Sequence, residues 1–144
     1  MHNPLATSRK ITQMKKILII FILILSQQII SQTQGETNEK AKIDYVKTDN
    51  KLNSIYNQIL TEYKSDSLFI QNLKKAQRIW VDFRDAEVEM KYPSIDNSEY
   101  GSVFPMCRWM YLTNLTENRI EKLNEWIIGI EEGDVCKGST KQND

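Results

Sequence analysis

The chain has 144 residues, of which 40% are hydrophobic and 26% charged, enough for one small domain with a closed core. Its 19 basic and 19 acidic side chains cancel, but four of the bases fall within residues 1–31, which contain no acid. The remainder carries 15 bases against 19 acids, a net charge of −4 that argues against a nucleic-acid partner and suits a basic one. With five Gly and three Pro, the composition favours helices over a sandwich or barrel.

The first predicted element is a targeting segment over residues 1–31. Two lysines precede the unbroken apolar run Ile17–Leu25, and Ser31 is a small residue suited to a cleavage point. This run is too short for the roughly 20 residues that span a bilayer, so a secretory signal peptide is favoured over a membrane anchor. Residues 1–13 resemble an over-extended start, with Met14 the more natural initiator. We therefore expect export to the periplasm or the extracellular space, with no membrane anchor after cleavage.

Export changes the interpretation of the cysteines. Cys107 and Cys136 are the only two in the chain, and an isolated pair in an oxidising compartment is most often a disulfide. Two thiols cannot complete a tetrahedral zinc site, and the single histidine, His2, lies in the leader. The sequence therefore predicts a disulfide, no metal, no cofactor, and neither Cys–His nor Ser–His catalysis.

Helix one is predicted over residues 37–64, after a polar and flexible entry at residues 32–38. Apolar and aromatic side chains recur at spacings of three and four from Tyr45 to Tyr63, as on one face of a helix. Asp49 interrupts this stripe. Its carboxylate is expected either at a wet end of the helix or in a pair across an interface.

Helix two is predicted over residues 67–92. Asp66 and the serines beside it are turn and N-cap residues, and Pro93 ends the helix because the residue before a proline avoids the helical region. Gln77 and Arg84 fall at the edge of the apolar stripe, where partly desolvated head groups need partners. The stripe itself, expected to face the core, comprises Phe69, Leu73, Ala76, Trp80, Phe83 and Met90.

A loop at residues 93–104 leads into helix three, predicted over residues 105–132. The loop does not fit a calcium site, because Cys107 stands where a bidentate glutamate belongs. Gly133 suits a C-terminal cap, and residues 137–144 are expected to be disordered. Acidic residues cluster at the C-terminal end of this helix, where the helix dipole disfavours negative charge. This placement indicates either a solvated helix end or a surface used for binding. The candidate partner-binding acids are Glu131, Glu132 and Asp134.

Packing three helices is expected to bring the charges of their stripes together. A carboxylate in a desolvated interface needs an arginine, so Asp49 should pair with Arg84 or Arg119, while Gln77 and Thr116 satisfy the remaining donors and acceptors. In the alternative, each charge reaches water separately. A buried pair predicts a loss of roughly 3 kcal/mol for Asp49→Ala, and an exposed pair under about 1 kcal/mol.

These residues also carry a resemblance to a known family. The matching segments are Asp49-x-x-Leu52-Asn53-x-x-Tyr56, Leu73-x-x-Ala76-Gln77-Arg78-x-Trp80-x-x-Phe83-Arg84-Asp85-Ala86-Glu87, Gly101-Ser102, Cys107, and Leu115-Thr116-x-x-Arg119-x-x-x-Leu123. They resemble the lysozyme inhibitor LprI-like N-terminal domain family, which implies a small secreted or periplasmic helical domain, here residues 32–136, some of whose relatives inhibit lysozyme. The family commonly has a Cys where this chain has Val88. The resemblance thus leaves Cys136 as the only partner for Cys107, with the tail held at the start of helix three.

Two function hypotheses remain open at this point. The first is a non-catalytic binding protein that inhibits lysozyme, or binds another basic envelope protein, through complementary charge. The second is a structural or interaction module of the cell envelope with no enzyme target. Catalysis is disfavoured because no complete constellation of catalytic groups is present. The sequence predicts no oligomeric state.

Overall fold

The computed structural model describes residues 4–94 and 99–142, with side chains at residues 14–16 and 18 and from residue 33 onward within those ranges. Three α-helices follow one another: α1 (Pro4–Glu62), α2 (Ser67–Lys91) and α3 (Phe104–Ile128). Within the described ranges there is no β-strand, and an isolated β-bridge joins Ile130 to Gln142. The prediction of an all-α chain with three main helices is confirmed.

The chain divides into two compact units, residues 1–37 and residues 38–144. In the first unit, most side chains of the predicted leader lie outside the described residues, so its identity as a signal peptide stays a prediction. Among the residues that are described, no helix combines the length and hydropathy needed to cross a membrane. The flexible entry predicted at residues 32–38 is wrong, because α1 continues through it. No proline interrupts this stretch, and extending a formed helix costs little per residue.

Local chemistry explains where α2 begins and ends. The carboxylate of Asp66 accepts a hydrogen bond from the backbone N–H of Phe69 at 2.9 Å, which satisfies one of the free donors of the first turn. The helix ends at Lys91, two residues before Pro93. Its predicted bounds are confirmed to within one residue.

The C-terminal end of α3 differs from its prediction. The helix stops at Ile128, four residues before the predicted end, because Gly129 adopts a φ of 88° that glycine tolerates best. Gly133, the predicted cap, instead lies in the turns that follow, with a φ of 91°.

The core of the second unit is small. Its main cluster is formed by buried side chains from all three helices: Leu52, Ile55, Ile59, Leu73, Ile120 and Leu123. The predicted stripe of α2 is partly wrong, since Phe83 is 53% and Met90 70% exposed, whereas Val88 is buried. The inward face of α2 is rotated so that Arg84 lies on it, with a side chain only 13% exposed. A long polar side chain therefore occupies a place that periodicity assigned to apolar residues.

The predicted disulfide is wrong in this structure, where Cys107 and Cys136 are both free. Cys107 lies in the first turn of α3, and 21 residues of helix separate it from Ile128, a rise of about 30 Å. Cys136 follows that far end of α3. A disulfide needs Cα atoms within about 7 Å, so α3 holds the two thiols too far apart.

The sequence predicts disorder from residue 137. In the structure, polar contacts hold the described part of the segment after α3, where a disulfide was expected. Lys141 Nζ lies 3.1 Å from the Glu62 carboxylate, and the Lys141 backbone N–H donates to the Tyr63 hydroxyl at 3.2 Å. The indole N–H of Trp126 donates to the hydroxyl of Ser139 at 3.1 Å. These contacts place the described part of the tail at the end of α1 and α3 opposite to Cys107.

Candidate functional site

The site is built around the arginine that α2 turns inward. Nε and Nη2 of Arg84 contact Oδ1 of Asp85 at 2.9 and 2.8 Å, and Nη1 donates to the Tyr45 hydroxyl at 3.3 Å. Nη1 also lies 3.7 Å from Oδ1 of Asp49, an ion pair longer than a hydrogen bond. Burial is the largest cause that raises the pKa of Tyr45, ahead of the opposing effect of Arg84. The structure thus places Arg84 among two carboxylates and a neutral phenol.

A second polar pair lies between α2 and α3. Nε of Arg119 donates to the side-chain oxygen of Gln77 at 3.0 Å. Burial lowers the pKa of Arg119, and no ion pair joins its guanidinium to a carboxylate in the part of the chain that is described. Arg119 is therefore a partly desolvated cation without a counter-ion.

Trp80 lies close to both arginines. The guanidinium carbon of Arg84 lies 5.4 Å from the centre of its ring and that of Arg119 lies 5.9 Å away, both within cation–π range. Thr116, which is fully buried, does not join either arginine. Its hydroxyl donates to the Leu112 carbonyl of its own helix at 2.7 Å. The five residues predicted as one network therefore form two pairs around an indole, with Thr116 apart.

Sequence reasoning missed an aromatic cluster near the other end of α2. The Tyr111 hydroxyl donates to Glu87 at 3.0 Å, and this hydrogen bond is the largest cause that raises the pKa of Tyr111. Lys91 Nζ lies 3.8 Å from the centre of the same ring. Tyr92 packs edge-on against Phe104 at 5.2 Å between ring centres. The clustering of tyrosines around residues 92–111 was the available signal, but pairs so far apart in sequence need a fold to be recognised.

The acids predicted for partner binding are exposed. Glu131 and Glu132 lie in the turns after α3, and Asp134 accepts a hydrogen bond from the backbone N–H of Cys136 at 2.7 Å. Two further acids, Glu117 and Glu121, are exposed on α3 itself. Their spacing of four residues, which places them on one helix face, could have identified them from sequence. Within the described part of the second unit, α3 and the segment after it thus present these five exposed acidic residues.

A groove of about 390 Å³ opens between α2 and α3. Its walls are mostly apolar or aromatic, and among the described residues Arg119 is the one cation that lines it. Asp66 and Ser139 line it as well. The volume is at the lower end of that of small-molecule sites.

Within the described residues, no group of three or more His, Cys, Asp or Glu side chains is arranged to hold a metal ion. The two carboxylates beside Arg84, those of Asp49 and Asp85, form ion pairs with this arginine. The candidate site therefore consists of ion pairs, arginine–indole stacking and an apolar groove.

The family model described as lysozyme inhibitor LprI matches residues 26–123. This range includes both arginine pairs and the exposed acids of α3, and it ends before the acids at residues 131–134. No curated protein and no solved structure matches the chain.

Proposed function

Because the chain belongs to the lysozyme inhibitor LprI family, we propose that it is a non-catalytic binding protein that inhibits a basic lysozyme. Family membership over two thirds of the chain is the observation that carries this proposal. The proposed mode of inhibition is steric: a folded helical domain covers the substrate cleft.

Charge supports a basic target. The net charge of −4 outside residues 1–31 attracts a cationic enzyme, and the sign of the exposed carboxylates on α3 and after it is complementary to such a surface. These exposed acids are Glu117, Glu121, Glu131, Glu132 and Asp134. Complementary charge accelerates encounter more than it strengthens the final complex.

The family match divides these acids into two groups. Glu117 and Glu121 lie within the matched range, whereas Glu131, Glu132 and Asp134 lie beyond it. We assign the three outer acids to long-range attraction of the enzyme. The contacts that block the cleft belong on the surface of the matched region.

The Arg84 and Arg119 pairs have a structural role in this proposal. Each pair joins α2 to a neighbouring helix beside Trp80, and the Arg84 side chain is largely buried. They fix the packing of α2 against α1 and α3, and thereby hold the outer surfaces in position.

Lysis of bacterial cell walls by a basic lysozyme, with and without the purified protein, tests the function. Inhibition is expected at low salt and should weaken as salt rises, because the screening length falls from about 10 Å at 0.1 M to about 3 Å at 1 M. Replacing Glu131, Glu132 and Asp134 with their amides should slow association. A matched control removes three carboxylates elsewhere, through Asp82→Asn, Glu89→Gln and Glu99→Gln.

The outcome of this assay separates the two hypotheses. If the control variant slows association as much as the α3-end variant, attraction comes from net charge alone and not from that end of the molecule. Absence of inhibition against several lysozymes at low salt contradicts the inhibitor proposal and favours an envelope module without an enzyme target.

Lysozyme inhibition also requires that the protein meets its target outside the cytoplasm. The charged start and the apolar run Ile17–Leu25 support export with residues 1–31 as a cleaved leader. The N-terminal sequence of the protein recovered from the cell envelope tests this. A start near residue 32 is expected, whereas recovery of the intact chain from the cytoplasm contradicts it.

A further inference from the structure

The groove between α2 and α3 combines features that point to a ligand. Its walls include Leu68, Phe69, Leu123 and Trp126, so its floor is apolar, and Arg119 is the cation that lines it. The Arg119 guanidinium is held by Gln77 through Nε alone. Its Nη1 and Nη2 groups make no hydrogen bond or ion pair within the described residues, and they form the planar fork that matches a carboxylate.

Partial burial of the Arg119 charge is energetically unfavourable without a ligand. A partly desolvated cation normally has a counter-ion, and here burial lowers the pKa of Arg119 while no neighbouring carboxylate opposes it. An anion that enters the groove would supply the missing charge. The surrounding apolar wall would strengthen that interaction, because water is partly excluded.

The polar groups of the groove fix the orientation of a ligand. Asp66 lies ten residues before Ala76 on α2, about 15 Å along the helix, and Ala76 is the last α2 residue that lines the groove. On α3, Leu123 and Trp126 follow Arg119 by one and two turns. Gln77 lies beside Arg119, and Phe69 packs near Trp126 with 6.2 Å between ring centres, so α2 and α3 run antiparallel. The anionic group of Asp66 and the cation of Arg119 therefore lie toward opposite ends of the groove. An anionic head is thus attracted to Arg119 and repelled from the other end.

We propose that this groove binds a single-chain amphiphile with a carboxylate head, placed with its carboxylate on Arg119 and its alkyl chain along Leu123 and Trp126. The volume of about 390 Å³ favours one alkyl chain over a two-chain lipid. A carboxylate carries one charge, which one arginine balances, whereas a phosphate dianion calls for more cations than the groove supplies. This ligand site is independent of lysozyme inhibition.

Titration calorimetry of the purified protein with decanoate, decanol and decyltrimethylammonium tests the proposal, with the two ionic probes below their micelle concentrations and decanol below its solubility limit. These probes share one alkyl chain and differ in head-group charge. Decanoate is expected to bind about ten- to a hundredfold more tightly than decanol, the range for a hydrogen-bonded charge pair. Arg119→Gln should abolish this preference and leave decanol binding unchanged, whereas Arg119→Lys should keep part of it. Arg78→Gln, which removes an exposed arginine outside the groove, is the matched charge control and should behave as the parent protein.

A second pair of variants tests the location of the alkyl chain. Ala76→Phe places a ring in the groove and should weaken decanoate and decanol alike. Ala86→Phe makes the same change on an exposed part of α2 outside the groove and should leave both unchanged. Far-UV circular dichroism verifies that each variant is folded. Equal affinity for decanoate and decanol, a decanoate preference that survives in Arg119→Gln, or no binding of any probe overturns the proposal.

Discussion

Replacing Arg84 with methionine is the strongest test of how the second unit is held together. Methionine retains most of the apolar stem and removes the guanidinium, so the change deletes the polar contacts without opening a large cavity. The arginine side chain is only 13% exposed, which makes its contacts more valuable than those of a surface residue.

The expected magnitude follows from the four contacts that are lost. The Asp85 pair is tight but its carboxylate is 56% exposed, and the Asp49 pair is 3.7 Å long with a carboxylate 35% exposed, so each contributes under about 1 kcal/mol. The Tyr45 hydrogen bond and the Trp80 contact each contribute about 0.5–1 kcal/mol. Because both carboxylates rehydrate when the arginine is removed, we expect Arg84→Met to destabilise the protein by about 2 kcal/mol.

Urea unfolding followed by far-UV circular dichroism measures this loss. Arg78→Met, at an exposed arginine on the same helix, is the matched control and should stay within about 0.5 kcal/mol of the parent. Asp49→Ala should cost under about 1 kcal/mol, because Asp85 still compensates Arg84. A loss below about 0.5 kcal/mol for Arg84→Met, or a loss for Asp49→Ala as large as that for Arg84→Met, would refute this account of the cluster.

Three further predictions concern the tail, the core and the thiols. Hydrogen bonds from Gln58 and Lys141 lower the pKa of Glu62, so the hold on the tail is complete above the ordinary Glu pKa of 4.5 and is lost as pH falls through the depressed value; the protection of the tail amides from deuterium exchange, taken relative to the rate of an unstructured chain at the same pH, should then fall at acidic pH, and unchanged protection contradicts this. Thr116→Val should change stability by less than about 1 kcal/mol in urea unfolding, since the Thr116 hydroxyl bonds only its own helix; a larger loss indicates a partner that the structure lacks. Cys107 and Cys136 should both be alkylated without reductant, the exposed Cys136 faster, as intact mass would reveal; resistance of both thiols contradicts the separation imposed by α3.

The helices could be predicted from sequence because their signals are local. Apolar spacing gave three helical regions, and the Asp66 cap and Pro93 defined the limits of α2. The end of α3 was placed too late because two glycines, Gly129 and Gly133, both suit a cap, and the first of them ends the helix.

The face of α2 that packs inward could not be predicted, because the periodicity of apolar residues assigns only apolar side chains to the buried face. Arg84 faces inward since Asp85 and Asp49 compensate its charge and Tyr45 accepts a hydrogen bond from it. Asp49 was a predicted partner, but the Tyr45 contact and the choice of Arg84 over Arg119 depend on how α1 and α2 pack. Phe83, its neighbour in sequence, is left more than half exposed as a result.

The disulfide prediction failed for a geometric reason. The prediction rested on the expected compartment and on the number of cysteines, and neither says where the two cysteines lie in the fold. A disulfide requires both cysteines at the same place. A continuous α3 from Phe104 to Ile128 holds Cys107 at one end and directs Cys136 to the other. The sequence did predict a long α3, and the length of that helix argues against a bond between Cys107 and Cys136.

A stoichiometric titration of a basic lysozyme with the purified protein, at low salt and with lysis of cell walls as the readout, tests the central proposal most directly. We predict that lytic activity falls with increasing protein to a plateau near zero, and that added salt restores it. Lytic activity that stays constant at a large molar excess of the protein, against several lysozymes, would contradict the assignment of this chain as an inhibitor.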